Sequence, residues 1–289
     1  MAFFRALESS RPSDIRLFED RFAEEFLRPS LRTVVHLSRL PLFRVLLPWL
    51  IDQRYPGARS SGVARTRFID DSLEKALQDG IKQIVILGAG FDCRAYRIPG
   101  IDRARVYEVD HPSTLTVKRE RLRHVSGELP VHVAFAEIDF NHQSLKDVLI
   151  GSGFDANFRT FFIWEGVTNY LSEQAVDTTL RFISTTAIES QLIFTYIHRG
   201  VLDNPMEFAG THNLVRLLRK EGEAWTFGLY PIELPPYLEA RGFELIDDVG
   251  SAEYRARYMN SRGGHMKGYE FYRIALARVM HSSIGVDKQ

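Results

Sequence analysis

An α/β fold built on a mostly parallel sheet is predicted by two observations on this sequence of 289 residues. From residue 81 onward, short apolar runs at 83–87, 105–109, 131–138, 160–164 and 191–197 alternate with helical stretches at 113–124, 144–150 and 173–188. That alternation is the rhythm of βαβ units, in which helices cover both faces of a parallel sheet. The last third changes texture: 243–249 and 270–279 read as strands with no long helix between them, which predicts a terminal antiparallel hairpin.

The region before residue 80 reads as helical. Ile15, Leu17, Phe18, Phe22, Phe26 and Leu27 recur at helix spacing, and Leu31, Val34, Val35 and Leu37 continue it. Pro41, Pro48 and Pro56 are expected to cut the chain into short helices, and a further helix is predicted over 66–78, closed by Asp79 and Gly80. Residues 1–80 are therefore read as a helical N-terminal lid and 81–289 as the core. A cap is inserted at about 199–230, carrying a helix at 206–220 and an aromatic stretch at 224–230. Five parallel strands plus a terminal hairpin is the layout of the class I methyltransferase (Rossmann-like) sheet and differs from that of a dehydrogenase. Such an analogy concerns the fold and leaves function to the motifs.

Composition narrows the choices. A 45% apolar and 26% charged chain is an ordinary globular one, so dominant disorder is excluded. Lys plus Arg and Asp plus Glu are each 37, and a formal charge of zero argues against nucleic acid or an anionic membrane as partner. The single cysteine, Cys93, excludes an internal disulfide and a thiolate zinc site, and points to a reducing compartment. It is read as a small, half-buried helix residue. The best apolar stretch, 40–51, is interrupted by Pro41, Arg44 and Pro48 and falls short of the roughly 20 residues a spanning helix needs. With no signal-peptide pattern at the start, a cytoplasmic location is expected. Nine histidines include no HExxH, so no metal is expected.

The site is read from three strand ends. The run 83–87 enters Gly88-Ala89-Gly90, where missing side chains let the backbone approach a ligand; the third glycine of a dinucleotide fingerprint is absent, Cys93 standing in its place. Asp110 ends the next strand, 20 residues past Gly90, where this architecture puts an acid on ribose hydroxyls. Glu108 is the competing acid, and capping of the following helix is the alternative role for Asp110. Asp139 ends the third strand, where an adenine amino group would lie. Ligands bind at the carboxyl edge of such sheets.

The segments ARTRFID, LGAGFDCRAYRIP, YEVDHP, the Asp139-Phe140 pair, FIWEGVTNYL and WTFGLYPIELPPYLEARGF, in this order, resemble the leucine carboxyl methyltransferase superfamily. More narrowly they resemble its bacterial branch of small-molecule O-methyltransferases, which includes polyketide carboxyl methyltransferases. The resemblance implies S-adenosyl-L-methionine as cofactor. It implies Arg67 on the methionine carboxylate, Gly88 and Gly90 along the cofactor, Asp110 on the ribose, and Asp139 with Phe140 at the adenine. Glu165 would lie at the methionine end near the acceptor. Cys93 departs from the threonine common in the family, and the segments of the phosphatase-methylating members are not matched.

Tyr170, His198 and His212 are the acceptor-side candidates beside Glu165, with packing as their ordinary alternative. The function expected is O-methylation of a carboxylate or hydroxyl of a secondary metabolite. C- or N-methylation of a small molecule stays open, as do a nicotinamide-dependent oxidoreductase and a non-catalytic nucleoside-binding module.

Overall fold

A computed structural model describes the chain apart from residues 140–141, 207, 209–210, 221, 260–267 and 281–289, and apart from the side chains of residues 212, 213, 217 and 219. Its centre is a seven-stranded sheet. The strands are β1 (Gln83–Leu87), β2 (Arg105–Asp110), β3 (Val133–Glu137), β4 (Thr160–Trp164), β5 (Gln191–Ile197), β6 (Phe243–Gly250) and β7 (Tyr272–Val279). They lie in the order β3-β2-β1-β4-β5-β7-β6. The first five run parallel, whereas β7 pairs antiparallel with both β5 and β6.

Alternation along the strands builds a core on each face. Ile84, Ile86, Val106, Phe161, Ile163 and Ile193 join one buried cluster. Val85, Leu87, Val109, Phe162, Trp164 and Phe194 join the other. Being buried on both sides explains why β1 and β4 are wholly apolar except for Gln83 and Thr160, whose side chains bond each other at 3.1 Å. Crossover helices α6 (Pro112–Ser126), α7 (Leu145–Gly151) and α8 (Glu173–Ser184) follow β2, β3 and β4. The caps are local: the His111 imidazole accepts from Ser113 N, Ser144 from Asp147 N and Ser172 from Ala175 N.

Three expectations change. The sequence segment read as helical over 15–27 forms turns and a 3-10 turn, Ala23–Phe26, while a helix α1 (Ala2–Ser9) precedes it. Side chains hold this irregular stretch: Asp20 accepts from Phe22 N and Ala23 N, and Glu8 accepts from Leu17 N. Pro48 does not cut a helix; it lies inside α3 (Pro41–Arg54), which follows α2 (Pro29–Ser38), each with proline in its first turn. The long α4 spans Ala58–Gln78, beginning eight residues before the expected start, because its first turns bury small residues (Ser60, Ser61, Gly62) that carry no apolar periodicity. The terminal strands β6 and β7 pair antiparallel as expected, with a nine-residue helix, Ser251–Met259, in the connection between them. The expected cap contains α9 (Gly200–Asp203) and α10 (Thr211–Lys220), after which Phe227 and Leu229 pack into the core.

Candidate active site

The chain proceeds outward from β1 to β2 and β3, then returns to place β4 on the other side of β1. The carboxyl ends of β1 and β4 are thus the switch point, where the connections leave a crevice. β1 runs into Gly88 and Gly90, both in the left-handed region at φ +64° and +40°. A Cβ on Gly88 would stand 2.4 Å from Val167 Cγ2, so glycine there lets the turn close against the segment that follows β4. At Gly90 a Cβ would meet only the Gly88 carbonyl oxygen, at 3.8 Å, and that side of the turn is open. The Asp110 carboxylate, at the end of β2, accepts from Gly90 N at 2.6 Å and from His111 N at 2.7 Å. Helix capping falls to His111, and Asp110 instead ties the second strand end to the glycine turn. The competing acid, Glu108, is sealed inside, paired with Lys118 at 2.9 Å and accepting from the Tyr96 hydroxyl.

Asp139 lies two residues beyond β3 at the same edge. Its carboxylate is partly exposed and bonds the His142 imidazole at 2.8 Å. Phe140 lies outside the described residues.

Glu165 follows β4 directly. Arg65 Nε donates to one carboxylate oxygen and an Arg94 terminal nitrogen to the other, both at 2.8 Å. Burial alone would raise this carboxyl; the Arg94 and Arg65 guanidiniums outweigh it and hold it at about 2. Arg94 opens the short helix α5 (Arg94–Arg97) and also pairs with Asp70 and Asp92, while Arg97 grips Asp70 at 2.7 Å and approaches Asp20 at 3.7 Å. Arg5 of α1 closes the chain, bonding Asp20 at 2.8 Å and the Phe91 carbonyl. A continuous run of buried charges therefore joins the N-terminal helices to the floor beneath the glycine turn. Phe26 adds a face-to-face contact with Phe91, ring centroids 4.6 Å apart.

The structure does not bring Arg67 to this place. Residues two apart on a helix point to nearly opposite sides, and it is Arg65 that faces Glu165. Arg67 turns outward to the Leu17 carbonyl at 3.0 Å and to Asp71 at 2.6 Å. Arg94, Asp92 and Asp70 form the site's ion network although the sequence reading assigned none of them a role. The only signal for them was position within ARTRFID and LGAGFDCRAYRIP. Cys93 is fully buried rather than half-buried, and burial pushes its thiol far above the ordinary value, which makes it a poor nucleophile.

On the acceptor side, His198 follows β5, its ring edge-on to Phe208 and Tyr230. Its Nδ1 accepts from Gly200 N at 3.1 Å, which assigns the proton of the neutral ring to Nε2. Tyr170 ends a 3-10 turn, Thr168–Tyr170, and is exposed. His212 lies on α10, its side chain outside the described residues. No group of three or more metal-ligating side chains is found among the described residues.

A family model described as leucine carboxyl methyltransferase matches residues 1–184. The chain belongs to the leucine carboxyl methyltransferase family. Within reach of this family stand two curated relatives, each named as a candidate S-adenosyl-L-methionine-dependent methyltransferase. The one from Bacillus subtilis is 26% identical over 72% of this chain and 69% of its own length. The one from Mycobacterium tuberculosis is 30% identical over 73% and 67%. Among solved structures, a candidate methyltransferase from Thermobifida fusca matches 95% of this chain and 97% of its own at a TM-score of 0.56 and 17% identity. A DUF574 family protein from Streptomyces avermitilis matches 96% of each chain at 0.57 and 13%. The sheet is that of the class I methyltransferases, as the strand sequence predicts. Among the described residues no helix is long and apolar enough to cross a membrane.

Proposed function

We propose that this chain methylates a carboxylate oxygen of a small-molecule acceptor, with S-adenosyl-L-methionine as donor. The coarser part, an S-adenosyl-L-methionine-dependent methyltransferase, is the class of its family and relatives; the acceptor group is our own reading. The residues present suit the cofactor. Gly90 is open on one side where a chain of the cofactor could pass, and Asp110 stands at the second strand end where ribose hydroxyls would be held. Asp139, one strand further, is assigned to the adenine. Arg65 replaces Arg67 as our choice for the methionine carboxylate, which a guanidinium can grip through two parallel hydrogen bonds. When bound, the cofactor supplies an already activated methyl group.

The observation that carries the acceptor assignment is the state of two candidate proton acceptors, Glu165 and His198. Glu165 is spent on two guanidiniums, which makes it a weak base. The Nδ1 of His198 accepts from Gly200 N–H, so that nitrogen is not available to take a proton. A carboxylate is ionised at neutral pH and needs a donor or cation to position it and no base, whereas a hydroxyl must lose its proton. The N-terminal helices and the cap then serve to orient the acceptor and keep water out. Incubating the enzyme with S-adenosyl-L-methionine and a panel of carboxylic acids and phenols, read by product mass, tests this reading. Methyl esters support it, and methylated phenols alone overturn it. Calorimetric binding of S-adenosylhomocysteine without binding of NAD excludes the oxidoreductase alternative.

A further inference from the structure

Helix α3 is turned inside out. Leu42, Val45, Leu46, Trp49 and Leu50 recur at the spacing of a single helical stripe, and all are exposed, from 39% at Leu46 to 74% at Val45. None of the helix's fourteen residues is fully buried. A surface helix ordinarily sends such a stripe into the core and its charges outward. Here the half-buried side carries Arg44 and Asp52 along with Phe43, Leu47 and Ile51. Leu37 and Leu40, just before the helix, extend the exposed apolar surface.

The charge around this stripe identifies what covers it. From residue 28 to residue 59 the chain carries six arginines and one acid, Asp52, within a protein whose total charge is zero. Arg32, Arg39 and Arg59 pair with Glu25, Glu24 and Asp52. Arg28, Arg44 and Arg54 have no ion-pair partner among the described residues, and Arg28 and Arg54 are exposed. A second copy docking by this face would oppose arginine to arginine, which costs stability. An anionic surface would complement it. Along the flank of the stripe runs a cleft of about 400 Å³, its walls including Val45, Trp49 and Met259 with Arg11, Arg44 and the Arg59–Asp52 pair. Apolar walls edged by arginine suit an acyl chain with an anionic headgroup.

We propose that α3 docks this protein peripherally on an anionic lipid bilayer, its apolar stripe entering the headgroup boundary with Trp49 as interfacial anchor and the surrounding arginines on lipid phosphates. No helix among the described residues is long and apolar enough to cross the bilayer. The proposal is independent of the acceptor assigned above.

The test is sedimentation of the full chain with phosphatidylcholine vesicles, with and without about one-third phosphatidylglycerol. Wild type should bind the anionic vesicles and lose that binding as salt is raised. The variant Leu42→Ser/Val45→Ser/Trp49→Ser should bind at least about tenfold more weakly, and Arg54→Gln about fivefold more weakly. All three positions are exposed, so an unchanged thermal midpoint is expected and separates lost docking from lost folding. Absence of binding, or equal binding to neutral and anionic vesicles, overturns the proposal. So does a wild-type dimer that the triple variant converts to monomer, because the face would then belong to a second copy.

Discussion

Replacing Glu165 with glutamine keeps the shape of the side chain and removes one buried charge between two guanidiniums. In the wild type, burial pushes the carboxyl up, Arg94 and then Arg65 push it down, and the result is about 2 against an ordinary 4.5. At 1.36 kcal/mol per pKa unit the difference corresponds to about 3 kcal/mol of folding stability. Glu165 is only 15% exposed, so little solvent screening reduces that figure. It agrees with the lower end of the roughly 3–5 kcal/mol lost when a buried ion pair is broken. Because the folded value is the depressed one, the stabilisation is complete above pH 4.5 and disappears as pH falls towards 2. Urea unfolding of wild type and Glu165→Gln, followed by circular dichroism, should therefore show a gap of about 3 kcal/mol at pH 7, narrowing to about 1.5 at pH 3. Asp92 is also held at about 2, but it titrates in both proteins and largely cancels. An equal gap at both pH values, or less than about 1 kcal/mol at pH 7, would refute the ion-network argument.

Asp110→Ala should raise the dissociation constant for S-adenosylhomocysteine at least about tenfold by calorimetry, the value of a hydrogen bond to a charged group; an unchanged constant in a folded variant removes Asp110 from the cofactor site. Arg65→Ala should weaken the same binding about tenfold or more, with Arg65→Lys recovering only part because a point charge cannot reproduce the guanidinium fork. Arg67→Ala should change it less than about threefold, and the reverse ranking of Arg65 and Arg67 would restore the sequence assignment. Gly88→Ala should cost about 1–3 kcal/mol in thermal unfolding, since its Cβ would meet Val167 Cγ2 at 2.4 Å. Adding Val167→Ala should return the steric share; no recovery would mean that backbone strain alone is responsible.

What was legible follows from where the information is local. Strands β1, β4 and β5 coincide with the expected runs because parallel strands buried on both faces are continuously apolar. The glycine turn after β1 and the position of Asp110 at the end of β2 were readable from spacing. The choice between Arg65 and Arg67 was not, because the phase of a helix is set by its neighbours and both residues occupy the same short motif. Arg94, Asp70 and Arg5 were hidden for a related reason: most of their partners are 15 to 86 residues away, and charge gives no periodicity. Pro48 misled because one missing N–H is tolerated inside α3. The formal charge of zero is a sum over the chain and carries no information on the basic segment around α3.

The position of β7 has a consequence for how the polypeptide is made. This last strand pairs with seven residues of β5 on one side and with β6 on the other. A ribosome extrudes β5 and β6 long before residue 272 appears, and until then each waits with an open edge and no neighbour between them. The nascent chain can assemble β1 to β5 as βαβ units, yet the sheet closes only when its final strand slides into the gap. A message truncated before that point does not yield a smaller enzyme; it yields two unpaired strand edges exposed to other chains.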